Sequence, residues 1–223
     1  MKYIQVEAST VYRGKLGSTA PAIYVVDFPE HPFDIADIAA TLDSTVITVP
    51  IADWNASLTP WPAAGLYREE PDFGGDARHT LSELLEQALP HIEQEHGLAP
   101  CKRAICGYSL GGLFSLYAFT HAATFDACAC ISGSVWYEGW VDHLRQLDFD
   151  AVGRYAFLSI GTKEKRGAPK IIRTVQDNME ACAEILRAHG CETTYVTGPG
   201  NHMQLHHERF ATGLAHLDAY LKR

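Results

Sequence analysis

Long apolar runs are missing from this chain. No stretch of its 223 residues approaches the roughly 18 consecutive apolar residues that a membrane span needs. The amino terminus, Met1 to Glu7, alternates polar and apolar side chains and lacks the apolar core of a secretory signal. Basic charge is scarce as well. Eighteen Lys and Arg stand against 27 Asp and Glu, for a net charge of −9. The cations are outnumbered and scattered, which argues against a nucleic-acid surface. Paired cysteines are also lacking: Cys101, Cys106, Cys128, Cys130, Cys182 and Cys191 contain no C-x-x-C spacing. Cys106, Cys128 and Cys130 lie in apolar runs and read as small buried hydrophobes rather than disulfide partners or metal ligands. The expectation is a cytoplasmic protein with neither nucleic acid nor membrane as a partner.

What is present is a composition suited to a folded core, with 47% hydrophobic and 20% charged residues. There is no internal repeat, low-complexity segment or linker. A single domain over residues 1–223 is expected, without a separate lid domain. Strand and helix patterns alternate along it. Residues 2–8 read as an early edge strand. Ala22 to Val26 reads as a buried strand, Ile35 to Leu42 as a helix, and Thr45 to Val49 as a strand stopped by Pro50. Residues 50–78 are irregular, with Pro50, Pro60, Pro62, Pro71 and Gly74-Gly75. A loop of that length in a compact fold is usually functional or disordered. It carries Trp54 and Trp61, which suit either a pocket wall or a pin for the loop.

A capping box, Thr80-Leu81-Ser82-Glu83, then opens a helix with Leu81, Leu85, Ala88 and Ile92 on one face, kinked at Pro90. A strand over 102–106 and a helix from Leu113 follow. Further strands fall at 127–131, 155–160 and 193–197. Ile172, Val175, Met179, Cys182 and Leu186 stripe one helix, closed by Gly190, and Phe210, Leu214, Leu217 and Leu221 stripe the last. The alternation predicts an α/β fold: a mostly parallel central sheet with helices on both faces, a three-layer sandwich. Right-handed crossovers would bring the strands' carboxyl ends to one edge, beyond which ligands bind.

Between the strand at 102–106 and its helix stands Gly107-Tyr108-Ser109-Leu110-Gly111-Gly112. This is G-x-S-x-G in the context where it makes a nucleophile elbow, a strained turn that exposes the serine. A serine hydroxyl needs an adjacent base. Gly198-Pro199-Gly200-Asn201-His202 follows the last strand directly, and His202 is the candidate base. The acid is expected after the strand at 155–160, where Glu164 supplies the only nearby carboxylate; Lys163 and Lys165 flank it, so a surface glutamate is the competing reading. Leu110 N–H is one candidate oxyanion donor. The second must come from Asp27-Phe28-Pro29-Glu30. Pro29 has no N–H, which leaves Phe28 or Glu30. His202 and His206 have the i, i+4 spacing of zinc ligands. Met203 and Gln204 stand where H-E-x-x-H needs its Glu, so no metal is expected.

These motifs, together with Ser132-Gly133-Ser134-Val135-Trp136-Tyr137, Leu58-Thr59-Pro60 and Phe73-Gly74-Gly75, resemble the Putative esterase family of α/β hydrolases. That family includes enterochelin-type siderophore esterases, S-formylglutathione hydrolase and feruloyl esterases. The resemblance spans roughly residues 20 to 220 and implies an α/β-hydrolase fold. It implies Ser109, Glu164 and His202 as nucleophile, acid and base, no cofactor, and a small-molecule ester as substrate. It places Trp136 and Tyr137 along the pocket, and Tyr108 and Trp54 are counted with them. Where family members carry His-Gly or Asp-Gly, this chain has Asp27-Phe28 followed by Pro29. The expected activity is ester hydrolysis through an acyl-enzyme. Acyl transfer on the same triad and a non-catalytic binding protein on the same fold are the alternatives, and both monomer and homo-oligomer remain open.

Overall fold

β-branched and small apolar residues dominate seven short runs, and each becomes a strand. In the computed structural model, which describes residues 3–67, 69–166 and 169–223, these are β1 (Val11–Tyr12), β2 (Ala22–Asp27), β3 (Thr45–Pro50), β4 (Arg103–Tyr108), β5 (Ala127–Ile131), β6 (Tyr155–Gly161) and β7 (Glu192–Gly198). They form one sheet in the order β1-β3-β2-β4-β5-β6-β7. Only β1 runs antiparallel to its neighbour; every other pairing is parallel. Strands β2 to β6 are buried almost throughout, as a sheet covered on both faces requires.

Among the described residues eight α-helices do the covering: α1 (Ala36–Ala39), α2 (Trp54–Ser57), α3 (Ala77–Glu83), α4 (Leu89–Glu95), α5 (Leu110–His121), α6 (Trp140–Gln146), α7 (Val175–Ala188) and α8 (His206–Leu221). Side chains alternate across each strand, so Ala104 and Cys106 face one layer and Ile105 the other. The first layer packs on α1 and α8 through Ile38, Phe210, Leu214 and Leu217. The second packs on α3 to α7 through Leu84, Leu113, Phe114, Trp140 and Met179. All six thiols are free; five are buried and Cys101 is exposed. Burial pushes the buried thiols up, Cys182 to about 12 and Cys191 to about 11. Among the described residues no helix is long and apolar enough to cross a membrane.

From β2 the chain moves outward to β3 and then returns to lay β4 on the other side of β2. The carboxyl ends of β2 and β4 therefore diverge into connections on opposite sides, which opens a crevice between them. Phe28 leaves one lip and Ser109 the other.

Five local expectations change. Over residues 3–8 (Lys2 lies outside the described residues) there is one antiparallel bridge, Ile4 to Ile51, and a 3-10 turn at Val6–Ala8; the edge strand is Val11–Tyr12. The helix expected over Ile35 to Leu42 shrinks to four residues, because Thr41 and Leu42 N–H bond back to Ile38 and Ala39 and tighten its end. Residues 50–78 are not wholly irregular: α2 and an Ala63–Phe73 bridge lie within them. Thr80 does not cap a helix. The helix starts a turn earlier at Ala77, and Thr80 N–H bonds Asp76 O. Glu83 instead turns to the N-terminal segment, where its carboxylate accepts Tyr3 N–H at 2.9 Å and Ile4 N–H at 3.0 Å. The disturbance expected at Pro90 takes the form of a π turn over Leu84–Ala88, which accommodates a residue without an N–H.

Glu83 is buried, so Glu83→Ala strands two buried N–H donors. A loss of roughly 2–5 kcal/mol is expected, with a smaller loss for Glu83→Gln, read from urea unfolding.

Candidate functional site

Tyr108 ends β4 and Leu110 begins α5, so the chain reverses through the single residue between them. Ser109 accordingly takes φ 57° and ψ −122°, a backbone state that costs a non-glycine residue about 1–3 kcal/mol. Three hydrogen bonds hold it there. Its N–H donates to Ile131 O at 3.2 Å, and its carbonyl accepts Leu113 N–H at 3.1 Å and Ser134 N–H at 2.9 Å. The flanking glycines are needed for space. A Cβ on Gly107 would lie 2.2 Å from Gly111 O, and one on Gly112 2.9 Å from Gly133 Cα.

The Pro-Gly loop after β7 carries His202 to the same edge. Its Nε2 lies 3.0 Å from Ser109 Oγ, and its Nδ1 lies 3.1 Å from Glu164 Oε2. Glu164 comes from the turn after β6. Its side chain is 3% exposed, so the flanking lysines do not draw it into solvent. Burial pulls its carboxyl upward, but the hydrogen bond and charge of His202 and the Gly161 N–H outweigh this and hold it below the usual carboxylate range. An ionised Glu164 can only accept. Nδ1 therefore carries the proton, and Nε2 turns its lone pair to the serine hydroxyl.

Arg209, from the first turn of α8, completes the arrangement and had no sequence signal. Its side chain is 9% exposed. Nη1 donates to Glu164 Oε1 at 2.6 Å, to Tyr108 OH at 3.1 Å and to Ser132 Oγ. Nη2 donates to Pro199 O at 3.1 Å and Asn201 O at 3.0 Å, on either side of the bend leading to His202. Tyr108 OH in turn donates to His202 O at 2.6 Å. A Cβ on Gly161 would meet Arg209 Nη2 at 2.3 Å, so a glycine there leaves room for the guanidinium. Ser134 was also missed as a site residue. Its hydroxyl is 3.3 Å from Ser109 Oγ.

The oxyanion candidates separate. Leu110 is the first residue of α5, where N–H groups have no partner within their own helix. Phe28 N–H donates to the buried Asp27 carboxylate at 2.9 Å, which also accepts Phe33 N–H at 3.0 Å. Glu30 is exposed. His206 Nε2 is 3.1 Å from His202 O, which removes it from any shared ligand set with His202. No cluster of three or more metal-ligating side chains occurs among the described residues.

Two cavities meet at Ser109 and His202. One, of about 270 Å3, is lined by Ser132, Ser134, Trp136, Tyr67, Arg166 and Ile172 among others. The second, of about 680 Å3, opens at the β2/β4 crevice and is lined by Phe28, Phe33, Trp54, Tyr108, Met203 and His206 among others. Trp54, Tyr108 and Trp136 thus border the site. Tyr137 does not line either cavity; it is buried against Trp61 and Phe73, with its hydroxyl on Trp61 O at 2.6 Å.

Comparison with known proteins follows the same lines. Residues 17–203 match the family described as "Putative esterase". A Bacillus subtilis (strain 168) protein, "Uncharacterized protein YbbA", is 34% identical over 135 residues, covering 59% of this chain and 54% of that one. The match thus spans about half the length of that relative. An IroE-like serine hydrolase from Shewanella oneidensis superposes with a TM-score of 0.75 at 17% identity, over 95% of this chain and 75% of the other. Siderophore hydrolase EstA from Aspergillus nidulans gives a TM-score of 0.69 at 19% identity, over 94% and 86%. The structural likeness establishes the α/β-hydrolase fold, and the family match extends over most of the sequence. The chain belongs to the Putative esterase family.

Proposed function

We propose that this protein is a serine esterase that cleaves a carboxylic ester through an acyl-enzyme, with Ser109 as nucleophile, His202 as base and Glu164 as its orienting acid. The observation that carries this reading is the continuous relay at the elbow, with Ser109 Oγ 3.0 Å from His202 Nε2 and His202 Nδ1 3.1 Å from Glu164. Ser109 Oγ attacks the ester carbonyl carbon as Nε2 takes its proton. The negative charge gathers on the former carbonyl oxygen, where Leu110 N–H donates. Phe28 N–H joins it by sharing or exchanging its bond to Asp27. The C–O bond to the leaving alcohol then breaks, and Nε2–H returns the proton to that oxygen. A water deprotonated by His202 then attacks the acyl carbon, the bond from that carbon to Ser109 Oγ breaks, Nε2–H returns its proton to Oγ, and the acid is released. Glu164 stays ionised throughout and stabilises the imidazolium. No cofactor takes part.

A fluorophosphonate probe should label Ser109, and Ser109→Ala should lower kcat/KM for a short para-nitrophenyl ester by a factor on the order of 10^4 to 10^6. Absent labelling, together with unchanged turnover in the variant, would exclude the reading.

Arg209→Met leaves the Glu164 carboxylate buried without its cation. It should cost about 3–5 kcal/mol of stability and lower kcat more than it raises KM, with partial recovery in Arg209→Lys. Thermal unfolding and steady-state kinetics check both.

Glu164 also sets a pH dependence. Because its carboxyl is held below its ordinary value, its ionised form stabilises the fold. That contribution is complete above the unfolded value of about 4.3 and is lost as pH falls through the depressed folded value. The difference in Tm between the native protein and Glu164→Gln should therefore be constant near neutral pH and shrink in favour of the variant below about pH 4.

A further inference from the structure

The cavity bordered by Trp136 differs in charge from the chain as a whole. Net charge is −9, yet five of the 18 cationic residues fall within the eleven residues 163–173: Lys163, Lys165, Arg166, Lys170 and Arg173. The one carboxylate in that stretch, Glu164, is already committed to His202 and Arg209. The stretch leaves the carboxyl end of β6, and its Arg166, Pro169 and Ile172 form part of the cavity wall that also holds Ser109. Arg166 is exposed, and among the described residues its guanidinium has no ion pair or hydrogen-bond acceptor. Among the described residues the other polar groups of the wall are the hydroxyls of Ser109, Ser132, Ser134 and Tyr67 and the His202 ring, with no carboxylate besides Glu164. The cavity on the other side of Ser109 has Asp34 in its wall with His31, His206 and His207, and Asp37 of the same segment is paired with His207 at 3.0 Å.

The two sides of the serine therefore differ: the Trp136-side wall carries an exposed guanidinium, whereas the Phe28-side wall carries Asp34 together with His31, His206 and His207. An unpaired guanidinium in a cavity wall offers a planar fork of donors matched to a carboxylate. The neighbouring lysines add a field that raises the local concentration of anions.

Resting on the esterase reading above, we infer that the Trp136-side cavity receives a carboxylate carried by the substrate, with Arg166 as the residue that selects it. A cavity of about 270 Å3 admits a short carboxylate-bearing arm. That arm belongs either to the acyl part or to the alcohol part of the ester.

Matched pairs of esters test this. For the acyl part, mono-para-nitrophenyl adipate is compared with para-nitrophenyl hexanoate. For the alcohol part, para-carboxyphenyl butyrate is compared with para-carbamoylphenyl butyrate. Within at least one pair the anionic member should have the higher kcat/KM. That ratio should fall by about tenfold in Arg166→Gln, as expected for one charge-assisted hydrogen bond, and survive in Arg166→Lys. Added salt should erode it in the unmodified protein. Lys15→Gln removes the same charge at an exposed pair with Asp43 and should leave the ratio unchanged. The inference is overturned if neither anionic ester is preferred, or if the preference persists in Arg166→Gln. Failure of the esterase reading looks different: neutral esters would show no turnover that depends on Ser109.

Discussion

A carboxylate withdrawn from water needs its charge and its lone pairs answered locally, and around Glu164 this requirement organises the edge of the sheet that carries Ser109 and His202. One oxygen receives the Arg209 guanidinium and the Gly161 N–H, and the other receives His202. Arg209 spends its remaining donors on Tyr108, Ser132 and the carbonyls of Pro199 and Asn201. Segments leaving β4, β5, β6 and β7 are thereby tied to the first turn of α8. A pair of this kind need not add net stability over an apolar packing of the same volume. What it supplies is a fixed angle for the imidazole, because the ring is gripped through Nδ1 and its backbone carbonyl is gripped by Tyr108.

The elbow was readable in the sequence because its constraint is local. A Cβ on Gly107 would strike Gly111 O, so this steric problem is posed and solved within five residues. The chemistry of the Pro-Gly loop likewise pointed to His202. Glu164 could be chosen only by its place after a strand, and the flanking lysines argued the other way until burial was known. Arg209 was out of reach, since its partners Glu164 and Tyr108 lie 45 and 101 residues away and no periodicity encodes such distances. The same holds for residues 3–8. Their alternation suits a strand, but Glu83, some 80 residues on, takes the N–H groups a strand would have used. The alternating strand and helix runs gave the layered α/β fold, whereas the crevice depends on the strand order, with β4 on the far side of β2.

Two spaces of unlike character share the serine. Phe28, Phe33 and Trp54 make the larger one aromatic, and Trp54 also rests near Gly111, where an added Cβ would come within 3.2 Å of its ring. The smaller one adds hydroxyls and a cation, those of Ser132, Ser134, Tyr67 and Arg166, to apolar walls such as Trp136 and Ile172. An ester is itself asymmetric about its carbonyl, so a site with unlike halves sets which end of the molecule lies on which side.

The cysteines carry a separate consequence. Five thiols are enclosed and held away from their reactive thiolate form, while Cys101 lies open just before the first residue of β4. Ser109 follows the last residue of that strand, and six residues of extended chain measure about 20 Å. The molecule therefore offers a single exposed thiol at the opposite rim of the sheet from Ser109. A fluorophore or spin label attached there would sit on the native sequence, with no cysteine to remove first, and would watch the Ser109 edge from a distance without occupying it.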